Sequence, residues 1–174
     1  MKKTFSATVV LLQDDAGRVC LSPKKGNIHK GGQELENSQK WNGYGGKQEP
    51  GETILETAIR ELEQESGVVG KEEDLELVAR ISFFWPGNET SEPDMVVYFF
   101  FLSSFKGMPK EGREMGVPVF FMPHEIPYHE MMPADRLFIP NLLAGEKLVW
   151  HVYLGKTTQD GNVYFEDKKI SPAL

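Results

Sequence analysis

Apolar positions along the chain follow two rhythms. Runs rich in β-branched and aromatic residues near 4–12, 18–22, 76–85, 94–103, 117–122 and 149–154 each read as a β-strand. The run "MVVYFFFL" is the longest apolar stretch and predicts a buried strand. Two segments, about 54–66 and, after "MMPAD", about 137–147, read as helices. In the first, Leu55, Ala58, Ile59 and Leu62 recur at helical spacing and form one apolar stripe. Its two ends are also written in sequence. Thr53 and Glu56 make a T-x-x-E capping box, and Gly67 stands where a helix commonly ends in a left-handed residue. Strands that outnumber helices, without regular βαβ alternation, predict a mixed sheet with helices packed on it. The polar, aperiodic "KKGNIHKGGQELENSQK" reads as a long surface loop, either covering a substrate or simply tolerated as an insertion.

Composition narrows the functional classes. At 174 residues and 40% hydrophobic, the chain suits one domain over 1–174 with a real core. A net charge of −7 argues against sequence-independent binding to nucleic acid or to an anionic membrane, since both need a basic face. An anionic substrate would therefore need a bridging cation. Cys20 is the sole cysteine, which excludes an intramolecular disulfide and fits a reducing, cytoplasmic setting with the thiol in the core. The start "MKKTFSATVVLLQDDAG" imitates a secretory signal, but its apolar run is short, rich in Thr and Val, and followed by no small-residue cleavage site. It reads instead as a strand and turn, and no later stretch is long enough to span a bilayer.

The candidate chemistry lies on and before the first helix. At about 100° per residue, Glu61 and Glu65 fall on nearly the same face, one turn apart, so their carboxylates can converge. A run of glutamates is ordinarily a solvated helix face. Here "WNGYGGKQEPGE" places four glycines immediately upstream, bringing backbone carbonyls and amides near those carboxylates. Hard cations such as Mg²⁺ take oxygen ligands and bridge to substrate phosphates, so this pairing suits a phosphate-handling metal site. A zinc alternative fails. In "HEIPYH", His124, Glu125 and His129 have the wrong spacing for a zinc-protease motif, and Pro127 interrupts any helix that would align them.

Gly46, Glu52, Arg60, Glu61, Leu62, Glu65, Gly67 and Val68 together resemble the Nudix box, filling eight of its nine defined positions. The resemblance implies an α+β Nudix fold, a mixed sheet sandwiched between helices. It implies that Glu61, Glu65 and the Gly46 carbonyl bind Mg²⁺, with Mn²⁺ as an alternative, that Arg60 orients a catalytic carboxylate by ion pairing, and that Glu52 braces loop and helix. Glu114, in "GREMGVPVFF", resembles a carboxylate borrowed from outside the box, as metal ligand or base; a solvated loop glutamate is its other reading. Gln64 departs from the pattern. An amide oxygen can still coordinate, but it brings no negative charge and should weaken binding of an extra cation.

Beyond the box, "KWNGYGGK" and "MMPADRLFIP" are similar to the branch that hydrolyses oxidised purine nucleoside triphosphates. That likeness implies that Asn42 and Asp135 hydrogen-bond the base, that Phe83, Trp85, Met95 and Met132 wall its faces, and that Lys24 contacts substrate. Ordinary core is an equal reading for Phe83, Met95 and Met132, and Asn42 could serve only the glycine turn. Ala134 stands where the branch has a first aspartate and Met132 where it has a tryptophan, which brings unmodified dGTP beside 8-oxo-dGTP as a candidate. The implied activity is Mg²⁺-dependent conversion of a purine nucleoside triphosphate to monophosphate and pyrophosphate by a monomer, with a dimer left open. A nucleotide-sugar or dinucleoside polyphosphate hydrolase and a non-catalytic nucleotide-binding module are the alternatives. Restoring a carboxylate with Gln64→Glu should shift the Mg²⁺ concentration dependence of the rate; a metal titration that superimposes on wild type would reject the idea that Gln64 limits cation binding.

Overall fold

The computed structural model describes residues 4–25, 39–85, 87–88, 92–157 and 163–170, with backbone alone for 155–157 and 163–170. One sheet runs through the fold. Its strands are β1 (Phe5–Gln13), β2 (Val19–Pro23), β3 (Trp41–Asn42), β4 (Glu76–Phe84), β5 (Met95–Leu102), β6 (Val119–Phe121), β7 (Leu148–Thr157) and β8 (Val163–Ile170). They lie in the order β3-β2-β1-β5-β4-β7-β8, with β6 paired to β2. The β1–β5 and β4–β7 pairs are parallel and the remaining pairs antiparallel, so the sheet is mixed as expected. No helix among the described residues is long and apolar enough to cross a membrane.

Two helices, α1 (Ile54–Ser66) and α2 (Asp135–Leu143), sit on opposite faces, and the central strands supply both with core. On β5, Phe99 and Phe101 join the cluster containing Phe138, Ile139 and Leu142 of α2, while Phe100 and Leu102 join that of Ala58 and Leu62 on α1. Burial on both faces explains why "MVVYFFFL" shows no polar alternation. Cys20 is buried among the α1 cluster, where burial pushes its thiol up to about 11; it is a core residue, not a nucleophile.

The helix ends form as their sequence predicts. Thr53 Oγ1 accepts the Glu56 N–H at 3.1 Å, the Glu56 carboxylate accepts the Thr53 N–H at 2.7 Å, and Gly67 closes the helix at φ 72°. Such a cap is worth about 1 kcal/mol, whereas truncating a fully buried leucine such as Leu62 costs about 2–5 kcal/mol. Docking on the sheet, more than capping, therefore fixes α1. Leu55 is a correction: it is exposed, because Ile54, Ala58 and Leu62 carry the inward stripe and Leu55 falls beside it.

Other boundaries also move. The second helix begins at Asp135 and ends at Leu143 rather than spanning 137–147, since Gly145 turns left-handed at φ 86°. The strand placed at 117–122 shrinks to Val119–Phe121, following Pro118, which has no N–H to offer a ladder. β7 extends to Thr157, and β3 and β8 are additional strands. Most of the predicted surface loop, 26–38, lies outside the described residues. Its two ends are stitched together, with Lys24 N–H donating to the Lys40 carbonyl at 2.9 Å and Gln39 N–H to the Lys24 carbonyl at 2.6 Å.

The feature that positions the site is what fills the edge of β1. β2 pairs with β1 only at Leu12 and Gln13, so the N-terminal half of β1 is completed by the glycine loop. Thr8 N–H donates to the Gly46 carbonyl at 2.9 Å, while Val10 and Tyr44 exchange both backbone bonds at 2.6 and 3.0 Å. The backbones come so close that a Cβ on Gly45 would collide with the Thr8 carbonyl. Tyr44 plugs the core beneath, its hydroxyl 2.8 Å from Ser22 Oγ and 3.5 Å from Cys20 Sγ.

Candidate active site

The glycine loop and α1 meet at Glu65. This side chain is only 7% exposed, and its Oε2 accepts the Gly45 N–H at 2.7 Å. Burial pushes the carboxyl up to about 7, helped by the negative charges of Glu61 and Glu114; the Gly45 hydrogen bond and the Lys24 ammonium oppose the rise. Glu61, one turn earlier, is tucked under the loop, where a Cβ on Gly46 would stand 2.5 Å from its carboxylate. The two carboxylates that helical spacing placed together thus lie against adjacent glycines of one loop, Glu65 on Gly45 and Glu61 on Gly46.

A second set of contacts braces the first. Arg60 grips Glu52 with both arms, Nε to Oε1 at 2.5 Å and Nη2 to Oε2 at 2.9 Å, while Nη1 reaches Glu61 Oε1 at 2.7 Å. Glu52 also accepts the Glu49 N–H at 3.0 Å and the Thr57 hydroxyl at 2.9 Å. The Arg60 hydrogen bonds, with these donors, pull the Glu52 carboxyl down to about 2. Arg60 therefore stands where it can orient Glu61, and Glu52 joins loop to helix. Gln64 is exposed and turns its amide oxygen to Arg60 Nη1 at 3.3 Å, so that oxygen points to the guanidinium.

The donors suit a hard cation. Glu61, Glu65 and the Gly46 carbonyl offer only oxygen, the chemistry of Mg²⁺ and Mn²⁺ rather than of softer metals. The Gly46 oxygen already accepts from Thr8 but has a second lone pair. A desolvated carboxylate with two negative neighbours is short of positive charge, which a divalent cation would supply. Among the described residues, no three His, Cys, Asp or Glu side chains form a ready-made cluster, and Glu114 is exposed on its loop.

On the α2 side of the sheet, Asp135 opens the helix, is 7% exposed, and is pushed up to about 7 by burial, with Lys24 opposing. Lys24 thus lies within electrostatic reach of both buried carboxyls. Phe83 and Met95 face each other across the β4–β5 ladder in the α2 cluster, and Met132 is half-buried, beside the fully buried Met131. Trp85 is 36% exposed past the end of β4, its ring tilted against Phe5 at 5.7 Å. Asn42 Oδ1 accepts the Gly43 N–H at 2.9 Å, so that oxygen serves the turn. Trp41 was not singled out from sequence. It lies against the α2 cluster, edge-on to Phe121 at 5.1 Å, and its Nε1–H donates to Glu130 Oε2 at 2.9 Å. Its place beside Asn42 in "KWNGYGGK" was the available signal.

Comparison with known proteins identifies the family. Residues 2–142 match the NUDIX domain. The oxidized purine nucleoside triphosphate hydrolase of Mus musculus is 35% identical over 144 residues, covering 82% of this chain and 81% of the mouse protein. Its Danio rerio counterpart is 34% identical over 146 residues, covering 84% and 85%. A crystal structure of a MutT protein from Bacillus halodurans superposes with a TM-score of 0.67 at 22% identity, covering 97% of this chain and 98% of that one, which shows the shared fold. The chain belongs to the NUDIX family and is a pyrophosphohydrolase of that family.

The raised Asp135 carboxyl has a consequence for stability. In the unfolded chain an aspartate ionises near pH 4, at about 3.9, but in the fold it holds its proton to about 7. Between those values the folded state binds more protons than the unfolded one, so Asp135 makes stability fall as pH rises through that window. Asp135→Asn removes this dependence. Its melting temperature should gain on wild type between pH 4.5 and 8; a difference that stays constant with pH would show an ordinary Asp135.

Proposed function

We propose that this chain is a divalent-cation-dependent hydrolase converting a purine nucleoside triphosphate, 8-oxo-dGTP or dGTP, to the monophosphate and pyrophosphate. The observation that carries the reading is Glu65, buried, held by the Gly45 N–H and flanked by Glu61 at the mouth of a loop with no room for side chains. Its setting is a chain 35% identical to a mouse oxidized purine nucleoside triphosphate hydrolase.

Glu61, Glu65 and the Gly46 carbonyl would hold Mg²⁺, or Mn²⁺, with Glu114 as the carboxylate contributed from outside the helix. When bound, the cation neutralises phosphate oxygens and lowers the pKa of water for attack on phosphorus. The protein's part is placement. Gly45 fixes Glu65 through Oε2, leaving Oε1 to face a ligand or take a proton. Arg60, itself locked by Glu52, sets the direction of Glu61. Preorganisation of this kind counts because a reacting group misplaced by about 1 Å can lose about 10² in rate.

Lys24 would meet the phosphates or the base edge, and Asp135 would read the purine, with Asn42 beside it and Phe83, Trp85, Met95 and Met132 as apolar walls. Ala134 is buried and offers no second carboxyl, so the base is read by one acid rather than two. That supports turnover of unmodified dGTP alongside its oxidised form. A buried, reduced Cys20 and an acidic surface fit a cytoplasmic monomer acting on small nucleotides, with neither nucleic acid nor membrane as partner. Incubating the protein and Mg²⁺ with dGTP, 8-oxo-dGTP, dATP and ADP-ribose should yield monophosphate and pyrophosphate from a guanine triphosphate. Cleavage of ADP-ribose with every triphosphate left intact would contradict the assignment.

A further inference from the structure

β2 is followed by two lysines, Lys24 and Lys25, that are indistinguishable in sequence and differ in the fold. Lys24 bridges Met115 and acts electrostatically on Glu65 and Asp135. Lys25 is tied to the loop that carries Glu114. Its N–H donates to the Glu114 carbonyl at 2.8 Å, its Nζ donates to the Gly112 carbonyl at 2.8 Å, and Nζ lies 2.7 Å from Glu111 Oε1. Three links from one residue thus span 111–114.

The same loop is pressed against α1 on its other flank. Lys110 N–H donates to the Ser66 carbonyl at 2.9 Å, and a Cβ on Gly112 would stand 2.6 Å from the Glu65 carbonyl. Gly112 N–H closes the turn around Glu114 by donating to the Met115 carbonyl at 2.9 Å, and Gly116 N–H returns to the Pro23 carbonyl at 2.8 Å. The loop is a strap from the end of α1 to the end of β2, and Lys25 is its side-chain fastening at the β2 end. Glu114 itself is exposed, so its position is inherited from the strap.

We propose that Lys25 is a positioning residue, fixing the 111–114 turn to β2 so that the Glu114 carboxylate stands where it can act beside Glu65. The inference rests on the reading of Glu114 as a carboxylate of the cation site. An exposed ion pair such as Lys25–Glu111 adds little to stability, so the loss of Lys25 should be felt in geometry rather than in folding.

The test compares wild type, Lys25→Met, Lys25→Arg, Glu114→Gln and the Lys25→Met/Glu114→Gln double variant on the best substrate of the nucleotide panel. Lys25→Met should lower kcat about tenfold at unchanged KM, a fraction of what a misplaced catalytic group can cost. Lys25→Arg should recover most of the rate. Mn²⁺ binding followed by electron paramagnetic resonance should weaken alike in Lys25→Met and Glu114→Gln, with the melting temperature near wild type. The double variant should be no slower than Glu114→Gln alone, as two changes on one path are not additive. A slow Glu114→Gln beside a Lys25→Met with wild-type kcat and Mn²⁺ binding overturns the proposal, as do losses that multiply in the double variant. Wild-type behaviour of Glu114→Gln instead removes the reading of Glu114 and the proposal with it.

Discussion

Between β1 and α1 there is space for a peptide backbone and for nothing more. Gly45 and Gly46 occupy that space, and a Cβ at either would strike the Thr8 carbonyl or the Glu61 carboxylate. The constraint couples three things that need not otherwise coincide. The loop completes the edge of β1 through Thr8 and Val10, its Gly45 N–H is aimed at Glu65, and its Gly46 carbonyl is brought beside Glu61. A methyl group there would push the loop away from either the sheet or the helix, and the carboxylates would lose their common partner.

The acidic groups of this region then diverge according to what surrounds them. Glu52 receives a bidentate guanidinium, a hydroxyl and a backbone N–H, and is held ionised down to about 2. Glu65 receives one backbone N–H in a buried setting with like charges nearby, and is pushed up to about 7. The first is a fixed structural anion that keeps Arg60, and through it Glu61, in place. The second is a carboxylate poised for positive charge. A glutamate just before α1 and one near its end thus divide into an ionised brace and the proposed cation ligand because of burial and partners.

Much of this was legible in sequence, for reasons that differ by element. α1 announces itself because its caps, its stripe and its glutamate spacing are all local, and the β5 run needs only its apolar length. Leu55 misled because a stripe read at helical spacing does not say which of two adjacent apolar residues, 54 or 55, faces the sheet. Strands β3 and β8 were missed because one is two residues long and the other, "VYFEDKKI", is half charged; both are made strands by a neighbour's hydrogen bonds. The role of Lys25 was invisible because every partner lies more than 80 residues away, in a loop without periodicity. In Asn42 the modest reading has structural support, its Oδ1 being bound to the Gly43 turn.

The account depends most on Glu65, the meeting point of sheet edge, glycine loop and acidic helix. Replacing it by glutamine keeps the shape and an oxygen for the Gly45 N–H while removing the negative charge. Steady-state turnover of Glu65→Gln in Mg²⁺, beside its circular dichroism spectrum, is the direct measurement. The account predicts a folded protein whose turnover has dropped by orders of magnitude; a folded Glu65→Gln that turns over at near the wild-type rate would contradict it.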